Sequence, residues 1–404
     1  MKVSHLVLSD QFGAGRAATR ICEAEKECGV DAVLYAFYCT DENTRRIELS
    51  PVERLKKTVY KRMDQYYTQS LGPRLYFHMD SKAVDLLGRD YIREADIIHF
   101  HWLNEGLFSF DLLEKLSAMK KPVVWTLHDS WAFTGGCHLP IGCEQFKAGC
   151  HYCRFLDRNN SAAEMMLKRK EKAYNQLSLA FVACSNWMMD NAKESSVCKC
   201  LGLNCTVIPN PADTEVFHPL SRNVSRSNLN IDSDNKLILV GASNLNDPIK
   251  GMRYLYDTLH YLNPSEYSIA CFGNGSEFHP GGYHVYDLGY LDNEHLAMAY
   301  NVCDVFVAPS TYDNLPNTVM EALACGTPVA AFNIGGMPDM IIPGKNGYLA
   351  EPFDPESLAQ SIMGCAGGNM DRRWIAQDAD NRFSYKTVGD QYKELYEDIL
   401  KNND

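Results

Sequence analysis

Two carboxylates stand eight positions apart in the stretch 308–332, one on each side of a proline. Asp313 precedes Pro316, and Glu321 follows it. Carboxylates accept hydrogen bonds from hydroxyl groups, whereas the free backbone N–H groups at a helix N-terminus bind phosphate. A carboxylate pair beside such a helix therefore suits a ligand that carries both hydroxyl and phosphate groups, such as a sugar joined to a nucleotide. The alternative is two unrelated acids, one on the surface and one placed favourably in a helix dipole.

The residues around this carboxylate pair predict the elements that hold it. The apolar run at 305–308 predicts a buried strand, and ligands of an open parallel sheet bind where such strands end. Asn317 or Thr318 is predicted to cap the following helix, which would place Glu321 in the first helical turn. Gly326 suits the left-handed residue that ends a helix. These predictions bring both acids and a helix N-terminus to one edge of a sheet.

Short apolar runs recur along the whole chain and alternate with helical patterns. Such alternation predicts parallel strands joined by helices, and two successive series predict an α/β protein with two Rossmann-like domains. A glycine-rich segment at 12–16 precedes a helix predicted from about residue 17 to residue 28. The predicted strands of the first series are 3–8, 32–37, 97–100, 123–127 and 181–184, and those of the second are 237–240, 267–272, 305–308, 328–332 and 347–350.

A proline-rich segment marks the division between these domains. The 404 residues are too many for one ordinary core, so two domains are expected. Segment 207–219 contains three prolines, which interrupt regular elements, and the polar run 221–235 after it predicts a surface loop. We therefore expect domains at 1–206 and 207–385. An amphipathic pattern predicts a last helix at 387–400.

Composition and charge exclude some classes of protein. The formal net charge of -12 argues against general nucleic-acid binding, which requires a basic surface. No stretch approaches the roughly 18 apolar residues of a membrane-spanning helix, and the first apolar run is too short for a secretion signal. These features predict a cytoplasmic protein. In a reducing compartment, the 15 cysteines are expected mostly as buried thiols or metal ligands.

An ordered set of motifs resembles the pattern of glycosyltransferase family 4, in the branch that includes colanic-acid and capsule glycosyltransferases. The pair Asp313 and Glu321 resembles the Glu-x7-Glu signature of that family. The resemblance extends over most of the chain, which makes it far more specific than one glycine turn. The other matching segments are GAGR at 13–16, DIIHFHW at 96–102, TLHDSWAFTGGCH at 126–138, VACS at 182–185, VIPNPAD at 207–213, PIKG at 248–251 and GNG at 273–275.

This resemblance implies a GT-B fold, in which two Rossmann-like domains with parallel sheets face each other across a cleft. It implies a retaining enzyme that moves a sugar from a UDP-, GDP- or TDP-sugar to a glycan or lipid-linked oligosaccharide. The N-terminal domain would bind the acceptor, and the C-terminal domain would bind the donor. The last helix, about 386–404, would cross back to the N-terminal domain. The implied process is bacterial capsule, exopolysaccharide or O-antigen biosynthesis.

The resemblance also implies roles for individual residues. Lys250 would neutralise the leaving diphosphate, and Glu321 would accept hydrogen bonds from the ribose. Asp313 and His128 would contact the donor sugar, and with Lys250 they form the expected catalytic set. The family needs no catalytic metal, and no cofactor is expected. The remaining residues expected to bind the donor are Gly13, Gly15, Gly273, Asn314, Leu315 and Thr318.

Two positions depart from the family pattern. Asp313 is one methylene shorter than the usual glutamate, and segment 243–246 lacks the arginine that usually precedes the lysine. Arg253 is the nearest substitute, and its position is typical of a solvated helix face. These departures leave open a non-catalytic, donor-binding scaffold subunit of a polysaccharide assembly. Another GT-B enzyme, such as a sugar-nucleotide epimerase or a phosphorylase, is a further alternative.

Three residues are candidates for the acceptor side. His99 and His101 alternate with Phe100 on one predicted strand, so their side chains point to the same side of the sheet. Asp129 follows His128 directly at the end of another strand. For the two histidines, packing in the core is the alternative.

A basic segment stands out in this acidic chain. Five basic residues fall within 54–62, and Leu55, Val59, Met63 and Tyr66 share a helical face. A basic amphipathic helix in the acceptor domain can rest on an anionic membrane surface, where lipid-linked acceptors reside. The alternative is a solvated helix that packs on its own sheet.

Four cysteines cluster between residues 137 and 153. Cys150 and Cys153 have the Cys-x2-Cys spacing of zinc ligands, and Cys137 and Cys143 precede them. The set is compatible with a structural zinc site. Disulfides and free thiols are the alternatives.

Overall fold

The computed structural model describes residues 1–72, 77–79, 82–157, 161–275 and 278–402. The chain forms two compact units. Unit 1 consists of Met1–Pro209 together with Val388–Asp404, and unit 2 consists of Asn210–Thr387. The sequence predicted domain boundaries after residues 206 and 385.

The described residues of unit 1 form a sheet of seven strands. They are β1 (Lys2–Ser9), β2 (Asp31–Tyr38), β3 (Arg45–Arg46), β4 (Ile97–Phe100), β5 (Val123–Leu127), β6 (Leu179–Ala183) and β7 (Asn204–Val207). Their order is β3-β2-β1-β4-β5-β6-β7, and every neighbouring pair is parallel. Strands β4, β5 and β6 are buried at every residue, as expected for strands covered on both faces.

The helices of unit 1 cover this sheet. They are α1 (Phe12–Glu27), α2 (Pro51–Ser70), α3 (Asp90–Arg93), α4 (Phe110–Ala118), α5 (Ser161–Tyr174), α6 (Asn186–Glu194) and α7 (Ser196–Leu201), with 3-10 turns at Trp131–Phe133 and Gln145–Ala148.

The described residues of unit 2 repeat the same plan with six strands and seven α-helices. The strands are β8 (Lys236–Asn244), β9 (Tyr267–Asn274), β10 (His284–Gly289), β11 (Val305–Ala308), β12 (Val329–Phe332) and β13 (Gly347–Ala350). The helices are α8 (Arg222–Asn228), α9 (Met252–Leu259), α10 (Asn293–Val302), α11 (Asn317–Ala324), α12 (Met337–Met340), α13 (Pro355–Ala366) and α14 (Arg372–Phe383). The strand order is β10-β9-β8-β11-β12-β13, again with all neighbours parallel.

The last helix, α15 (Tyr385–Lys401), packs into unit 1. Its residues Val388, Tyr392 and Tyr396 are fully buried in a core cluster that also contains Val3 and Ile21. A side chain at Gly389 would lie 2.2 Å from the backbone oxygen of Ala24, so the glycine permits close contact with α1.

All ten predicted strands are present, but some other elements differ from the sequence-based expectation. Helix α1 begins at Phe12 rather than near residue 17. Strands β3, β7 and β10 were not predicted. The run 221–235 was expected to be a loop, yet it contains α8, whose Arg222 forms an ion pair with Asp304 at 2.8 Å. Among the described helices, none is both long enough and apolar enough to cross a membrane.

Candidate active site

The strand order of unit 2 reverses between β8 and β11. Starting from β8, the chain adds β9 and β10 on one side and then crosses to β11 on the other. In open α/β sheets, ligands bind outside the carboxyl ends of the strands at such a reversal. The segments that follow β8 and β11 carry Lys250 and Asp313, respectively.

Lys250 is held in a tight turn that packs against the loop after β11. The side chain of Asp247 caps this turn by accepting a hydrogen bond from the backbone N–H of Ile249 at 3.1 Å. Gly251 has a φ of 70°, and a side chain there would lie 1.8 Å from the backbone oxygen of Pro309. The backbone N–H of Thr311 donates to the Ile249 carbonyl at 2.7 Å. The two segments therefore meet backbone to backbone.

This packing joins the two residues in an ion pair. The Nζ atom of Lys250 lies 2.8 Å from Oδ2 of Asp313, and their side chains are 28% and 15% exposed. Attraction to Asp313 raises the pKa of Lys250 despite its burial. The sequence assigned the lysine to a diphosphate and the aspartate to a sugar, but it did not predict that they would contact each other.

Arg253 does not take the place of the missing arginine. Its side chain is exposed, and its guanidinium stacks on the ring of Tyr254 at 4.5 Å from the ring centroid. This position agrees with the solvated helix face that the sequence indicated.

Glu321 is buried in α11, one turn deeper than expected. The helix is capped by Pro316, which offers no side-chain hydrogen bond, rather than by Asn317 or Thr318. The backbone N–H of Val319 donates to the Pro316 carbonyl at 3.1 Å, so the helix starts earlier and Glu321 falls in its second turn. The predicted end is confirmed, because Gly326 has a φ of 74° directly after the last helical residues.

Tyr300 contacts Glu321, and sequence analysis did not predict this contact. Its hydroxyl donates to Oε2 of Glu321 at 3.2 Å, and its side chain is fully buried in α10. The sequence gives little signal for this contact, since a tyrosine on an apolar helix face is equally well explained by packing.

The other predicted donor residues of unit 2 lie in the loop after β11, in the first turn of α11 and near the end of β9. Asn314 and Leu315 are buried, and Thr318 is half-buried in the first turn of α11. Gly273 has a φ of 116°, and a side chain there would lie 1.8 Å from the backbone oxygen of Ala242. The glycine is therefore required by the close approach of β9 to β8.

Gly13 and Gly15 do not form the expected loop, because both belong to the first turns of α1. A side chain at Gly15 would lie 2.3 Å from the backbone oxygen of Ser9, so packing on β1 explains this glycine. Around Gly13, in contrast, no described atom lies within 4 Å of the side-chain position. Only Gly13 leaves the helix N-terminus open to a ligand.

His128 and Asp129 follow β5 and are half-buried. Nε2 of His128 lies 3.0 Å from Nδ1 of His101, and burial lowers the pKa of His128 to about 4. Oδ2 of Asp129 lies 2.6 Å from Nδ1 of His138. Burial alone would raise the pKa of Asp129, but His138 outweighs it and the net pKa is lowered.

His99 and His101 point to the same side of β4, as predicted, but they do not lie on an exposed surface. Their rings stack with centroids 4.4 Å apart, and the two residues are 0% and 1% exposed. His99 contacts Tyr396 of α15 at 2.6 Å and Thr126 of β5 at 2.7 Å. Neighbouring elements cover both rings in this structure, which agrees with the alternative of packing in the core, and an acceptor-side role stays a prediction.

The four cysteines of the loop after β5 line one cavity. Cys137, Cys150 and Cys153 are buried, and Cys143 is half-buried. Burial raises the pKa of Cys137 and of Cys150 to about 12. In the described ranges, the three-residue group with potential ligand atoms within 4.8 Å of one another is His5, His99 and His101, not the cysteines.

Two family models match the chain, one in each half. The model described as "Glycosyltransferase Family 4" matches residues 13–216, and the model described as "Glycosyl transferases group 1" matches residues 234–366. Together they cover both Rossmann-like units.

Similar proteins include enzymes of bacterial surface polysaccharides. The colanic acid biosynthesis glycosyl transferase WcaC of Escherichia coli K12 is 28% identical over 326 residues, 75% of each chain. The D-inositol 3-phosphate glycosyltransferase of Corynebacterium kroppenstedtii is 32% identical over 112 residues, 27% of this chain and 25% of that protein. The O-antigen chain mannosyltransferase B of Escherichia coli is 33% identical over 76 residues, 19% of each.

Solved structures share the fold along the whole chain. The sucrose-phosphate synthase of Thermosynechococcus elongatus has a TM-score of 0.65 and 17% identity, covering 100% of both chains. HepE of Anabaena in complex with UDP-glucose has a TM-score of 0.65 and 17% identity, covering 98% of this chain and 100% of that chain. The chain therefore belongs to glycosyltransferase family 4 and has the GT-B fold.

Proposed function

We propose that this glycosyltransferase moves a sugar, with retention of configuration, from a nucleotide sugar to a glycan or lipid-linked oligosaccharide acceptor. The observation that carries the proposal is the Lys250–Asp313 ion pair at the strand reversal of unit 2, with Glu321 buried in the helix that follows. A cation suits a diphosphate, and carboxylates suit the hydroxyl groups of a sugar and a ribose.

The names of similar proteins support the chemical class of donor and product. Relatives are named for colanic acid and O-antigen biosynthesis, which supports a role in bacterial capsule, exopolysaccharide or O-antigen assembly. HepE was solved with UDP-glucose, which supports a UDP-sugar donor, with GDP- and TDP-sugars as alternatives.

The reaction follows from the charges at the site. The donor diphosphate would replace Asp313 as the partner of Lys250. When the bond from the anomeric carbon to the diphosphate breaks, the departing oxygen keeps the electron pair, and Lys250 stabilises the charge that develops. The acceptor oxygen bonds to the same face of the sugar, and its proton passes to the departing diphosphate. Such a step depends on positioning and charge stabilisation.

The two units would divide the substrates between them. Unit 2 would bind the donor, with Glu321 on the ribose and Asp313 facing the sugar. Unit 1 would bind the acceptor, with Asp129 as the candidate residue on that side, while His128 would contact the donor sugar. The cytoplasmic location inferred from the sequence stays a prediction.

A panel of UDP-, GDP-, TDP- and ADP-sugars tests the proposal. The correct donor should raise the unfolding temperature, because a ligand of the native state stabilises it. Donor and acceptor together should release the nucleotide diphosphate. Donor binding without transfer to any acceptor lipid would instead favour a scaffold subunit, and interconversion of the nucleotide sugars would favour an epimerase.

Helix α2 exposes its apolar side chains, which supports a contact with a partner outside its own domain. The side chains it buries are polar: Lys57, Asp64 and Thr68. A helix that packs only on its own domain buries its apolar side chains and exposes its polar ones. The exposed apolar face of α2 is therefore expected to contact a partner. Five apolar residues of α2 are 43% to 78% exposed: Val52, Leu55, Val59, Met63 and Tyr66.

The charges beside this apolar face suit an anionic membrane surface. Lys56 and Arg62 are exposed and, at 100° per residue, flank the apolar face on opposite sides. Lys61 is less available, since it pairs with Glu105 at 2.6 Å. Apolar side chains bordered by cations are typical of helices that lie in the lipid headgroup region. We propose that α2 holds the enzyme at the membrane, close to a lipid-linked acceptor.

Vesicle sedimentation tests this contact. The protein should bind vesicles that contain anionic lipid, and salt should weaken the binding. Replacing Leu55 and Val59 by serine, or Lys56 and Arg62 by glutamine, should abolish it while turnover of a soluble acceptor analogue persists. Glutamine at Lys168 and Lys172, two exposed lysines of α5, is the matched control and should have little effect. Binding that is absent at low salt, or concentration-dependent dimerisation through α2, would contradict the proposal.

Structural zinc at the cysteine cavity stays a prediction. Freshly purified, reduced protein should carry up to one zinc per chain, and serine at Cys150 and Cys153 should remove it. Serine at the exposed Cys200 is the control and should not change the zinc content. Elemental analysis that finds no metal would leave free thiols or disulfides as the explanation.

A further inference from the structure

A row of buried histidines in unit 1 begins at a carboxylate and ends at His128. Oε2 of Glu25 lies 2.8 Å from Nε2 of His5, whose Nδ1 lies 3.0 Å from Nε2 of His101. Nδ1 of His101 in turn lies 3.0 Å from Nε2 of His128. Glu25 and His5 are 0% exposed, and His101 is 1% exposed. We call these four residues the histidine relay.

The carboxylate sets the direction of every hydrogen bond in the relay. A neutral imidazole has one N–H and one lone pair, and a carboxylate only accepts. His5 must therefore donate from Nε2 to Glu25, which leaves its Nδ1 as an acceptor. His101 must then donate from Nε2 to His5, and His128 must donate from Nε2 to His101. Each ring thus fixes the tautomer of the next.

A second branch gives Glu25 another donor and fixes the opposite tautomer in His99. The hydroxyl of Tyr396 donates to Oε1 of Glu25 at 2.7 Å, so its oxygen accepts from Nδ1–H of His99 at 2.6 Å. Nε2 of His99 then accepts from the hydroxyl of Thr126 at 2.7 Å. The hydroxyl of Tyr392 lies 3.1 Å from Thr126 and completes the branch.

The same contacts argue against a metal ion among these rings. His5, His99 and His101 have nitrogen atoms within 4.8 Å of one another, as metal ligands do. Yet all six ring nitrogens already have a hydrogen-bond partner in the relay or its branch. A metal would have to break several of these bonds in a fully buried site.

We propose that the relay holds His128 neutral in the Nε2–H tautomer, so that its N–H is committed to His101 and it meets the donor sugar as a hydrogen-bond acceptor. Glu25 is then a positioning residue, acting on the ligand through three imidazoles. Burial lowers the pKa of His128 to about 4 and that of His101 well below its ordinary value, in agreement with neutral rings. The contact with the sugar rests on the proposed function, whereas the tautomer does not.

The thiol of Cys184 is the weak neighbour that a ligand would replace. Its sulfur lies 3.9 Å from Nδ1 of His128 and 3.7 Å from the Leu127 carbonyl, which can accept its proton instead. A sugar hydroxyl is a stronger donor than a thiol. A ligand hydroxyl can therefore compete with this thiol for Nδ1 while the bonds of the relay stay in place.

Nitrogen-15 NMR of the ligand-free, full-length protein tests the tautomers directly. His5, His101 and His128 should show protonated Nε2, and His99 should show protonated Nδ1. His99, which should have the opposite tautomer, is the internal comparison. A protonated Nδ1 at His128 at pH 7, or zinc-bound shifts at His5, His99 and His101, would overturn the proposal.

Two variants separate positioning from simple packing. Glu25→Gln replaces a pure acceptor with a group that also donates, so His128 should show mixed tautomers and transfer should slow on the order of tenfold. Tyr396→Phe removes one donor to Glu25 and is the milder variant, should the first fail to fold. Glu27→Gln, an exposed residue of the same helix, is the matched control. Unchanged His128 shifts in folded Glu25→Gln would contradict the proposal, as would a changed His128 tautomer in Tyr396→Phe, which keeps the carboxylate.

Donor titration distinguishes this proposal from the proposed function. A bound nucleotide sugar should shift Nδ1 of His128 and leave the shifts of His5 unchanged. If the donor binds but His128 does not respond, the contact with the sugar is wrong although the enzyme still uses a nucleotide sugar. If no nucleotide sugar binds, the proposed function fails, and the tautomer pattern alone decides the relay.

Discussion

At the scale of single residues, Lys250 and Asp313 neutralise each other's charge before a ligand binds. The diphosphate must compete with Asp313 for the same ammonium group. Because the pair is partly exposed, solvent screens this competition, and its cost is modest. The shorter aspartate, which departs from the family pattern, is the residue that reaches the lysine at 2.8 Å.

Replacing Asp313 by asparagine should therefore change binding and catalysis in opposite directions. Without the competing charge, Lys250 should bind the nucleotide diphosphate more tightly, by about twofold to tenfold. Sugar transfer should slow, because the contact with the donor sugar is lost. Calorimetry and a transfer assay measure both effects. Asp257→Asn, the same change at an exposed position of α9, is the control. Weaker binding of the diphosphate in Asp313→Asn would contradict this account.

Glu321 should govern binding of the nucleoside part of the donor. Replacing it by alanine leaves two ribose hydroxyls unpaired, so affinity should fall about tenfold to a hundredfold. Tyr300→Phe removes only the hydrogen bond that orients Glu321, and the loss should be about twofold to tenfold. Titration with the nucleotide diphosphate measures the affinities of the natural protein and of both variants. Equal affinities in all three proteins would mean that Glu321 is structural.

The sequence predicted which residues of unit 2 carry charge at the site but not how they meet. Lys250, Asp313 and Glu321 follow from motifs and from the strands before them. Their contacts depend on the packing of Gly251 on Pro309 and of Tyr300 under α11, which join segments far apart in the chain. Short-range patterns contain no information about such packing.

At the scale of elements, α2 shows that a helix can bury a charge and expose its apolar face. Lys57 is buried with its Nζ atom 4.2 Å from the ring centroid of Phe37, and burial lowers its pKa to about 8. In the unfolded chain the pKa is about 10.4. Between these values the unfolded state binds the extra proton, so stability rises as the pH rises from about 8 to about 10.4.

Lys57→Met should remove the dependence of stability on pH that the buried lysine causes. At pH 7 the variant should be more stable than the natural protein, by about 1–3 kcal/mol, because it buries no ammonium group. The advantage should shrink as the pH approaches 10, where the natural lysine is neutral in the folded state. Denaturant unfolding at pH 7 and pH 10, followed by a probe in unit 1, measures the difference. A constant difference at both pH values would contradict the assignment.

The elements that the sequence failed to predict have a common physical character. Strands β3 and β10 lie at sheet edges, where β3 is exposed and β10 is half-buried to exposed, so they lack the apolar runs of buried strands. Strand β7 is also an edge strand, with only one buried residue of four. The central strands, buried on both faces, were predicted closely because burial requires apolar side chains throughout.

At the scale of the whole molecule, the two units should respond differently to acid. Four histidines with a lowered pKa all lie in unit 1: His78, His99, His101 and His128. In the unfolded chain they titrate near pH 6.5. Below that pH the unfolded state binds protons that the folded state does not bind. The free energy of unfolding of unit 1 therefore falls by about 1.4 kcal/mol per pH unit for each such histidine.

Hydrogen exchange at pH 7 and pH 5, corrected for intrinsic rates, measures this effect. Protection should fall more in β4 and β5 of unit 1 than in β8 and β11 of unit 2. His128→Asn should reduce the acid sensitivity of unit 1 by the contribution of one histidine. An equal loss of protection in both units would show that these rings do not control acid unfolding.

The way α15 completes unit 1 has a consequence for synthesis on the ribosome. Tyr392 and Tyr396 fill the core of unit 1 and supply hydroxyls to Thr126 and Glu25, yet all of unit 2 is translated before them. A nascent chain that has already released α1 and β4 must therefore keep a polar, incompletely covered core while unit 2 folds. Domains usually fold in the order in which they emerge. In this protein unit 1 begins to fold first but is completed last, because α15 is translated after unit 2. A chaperone therefore has a long interval in which it can bind the nascent chain.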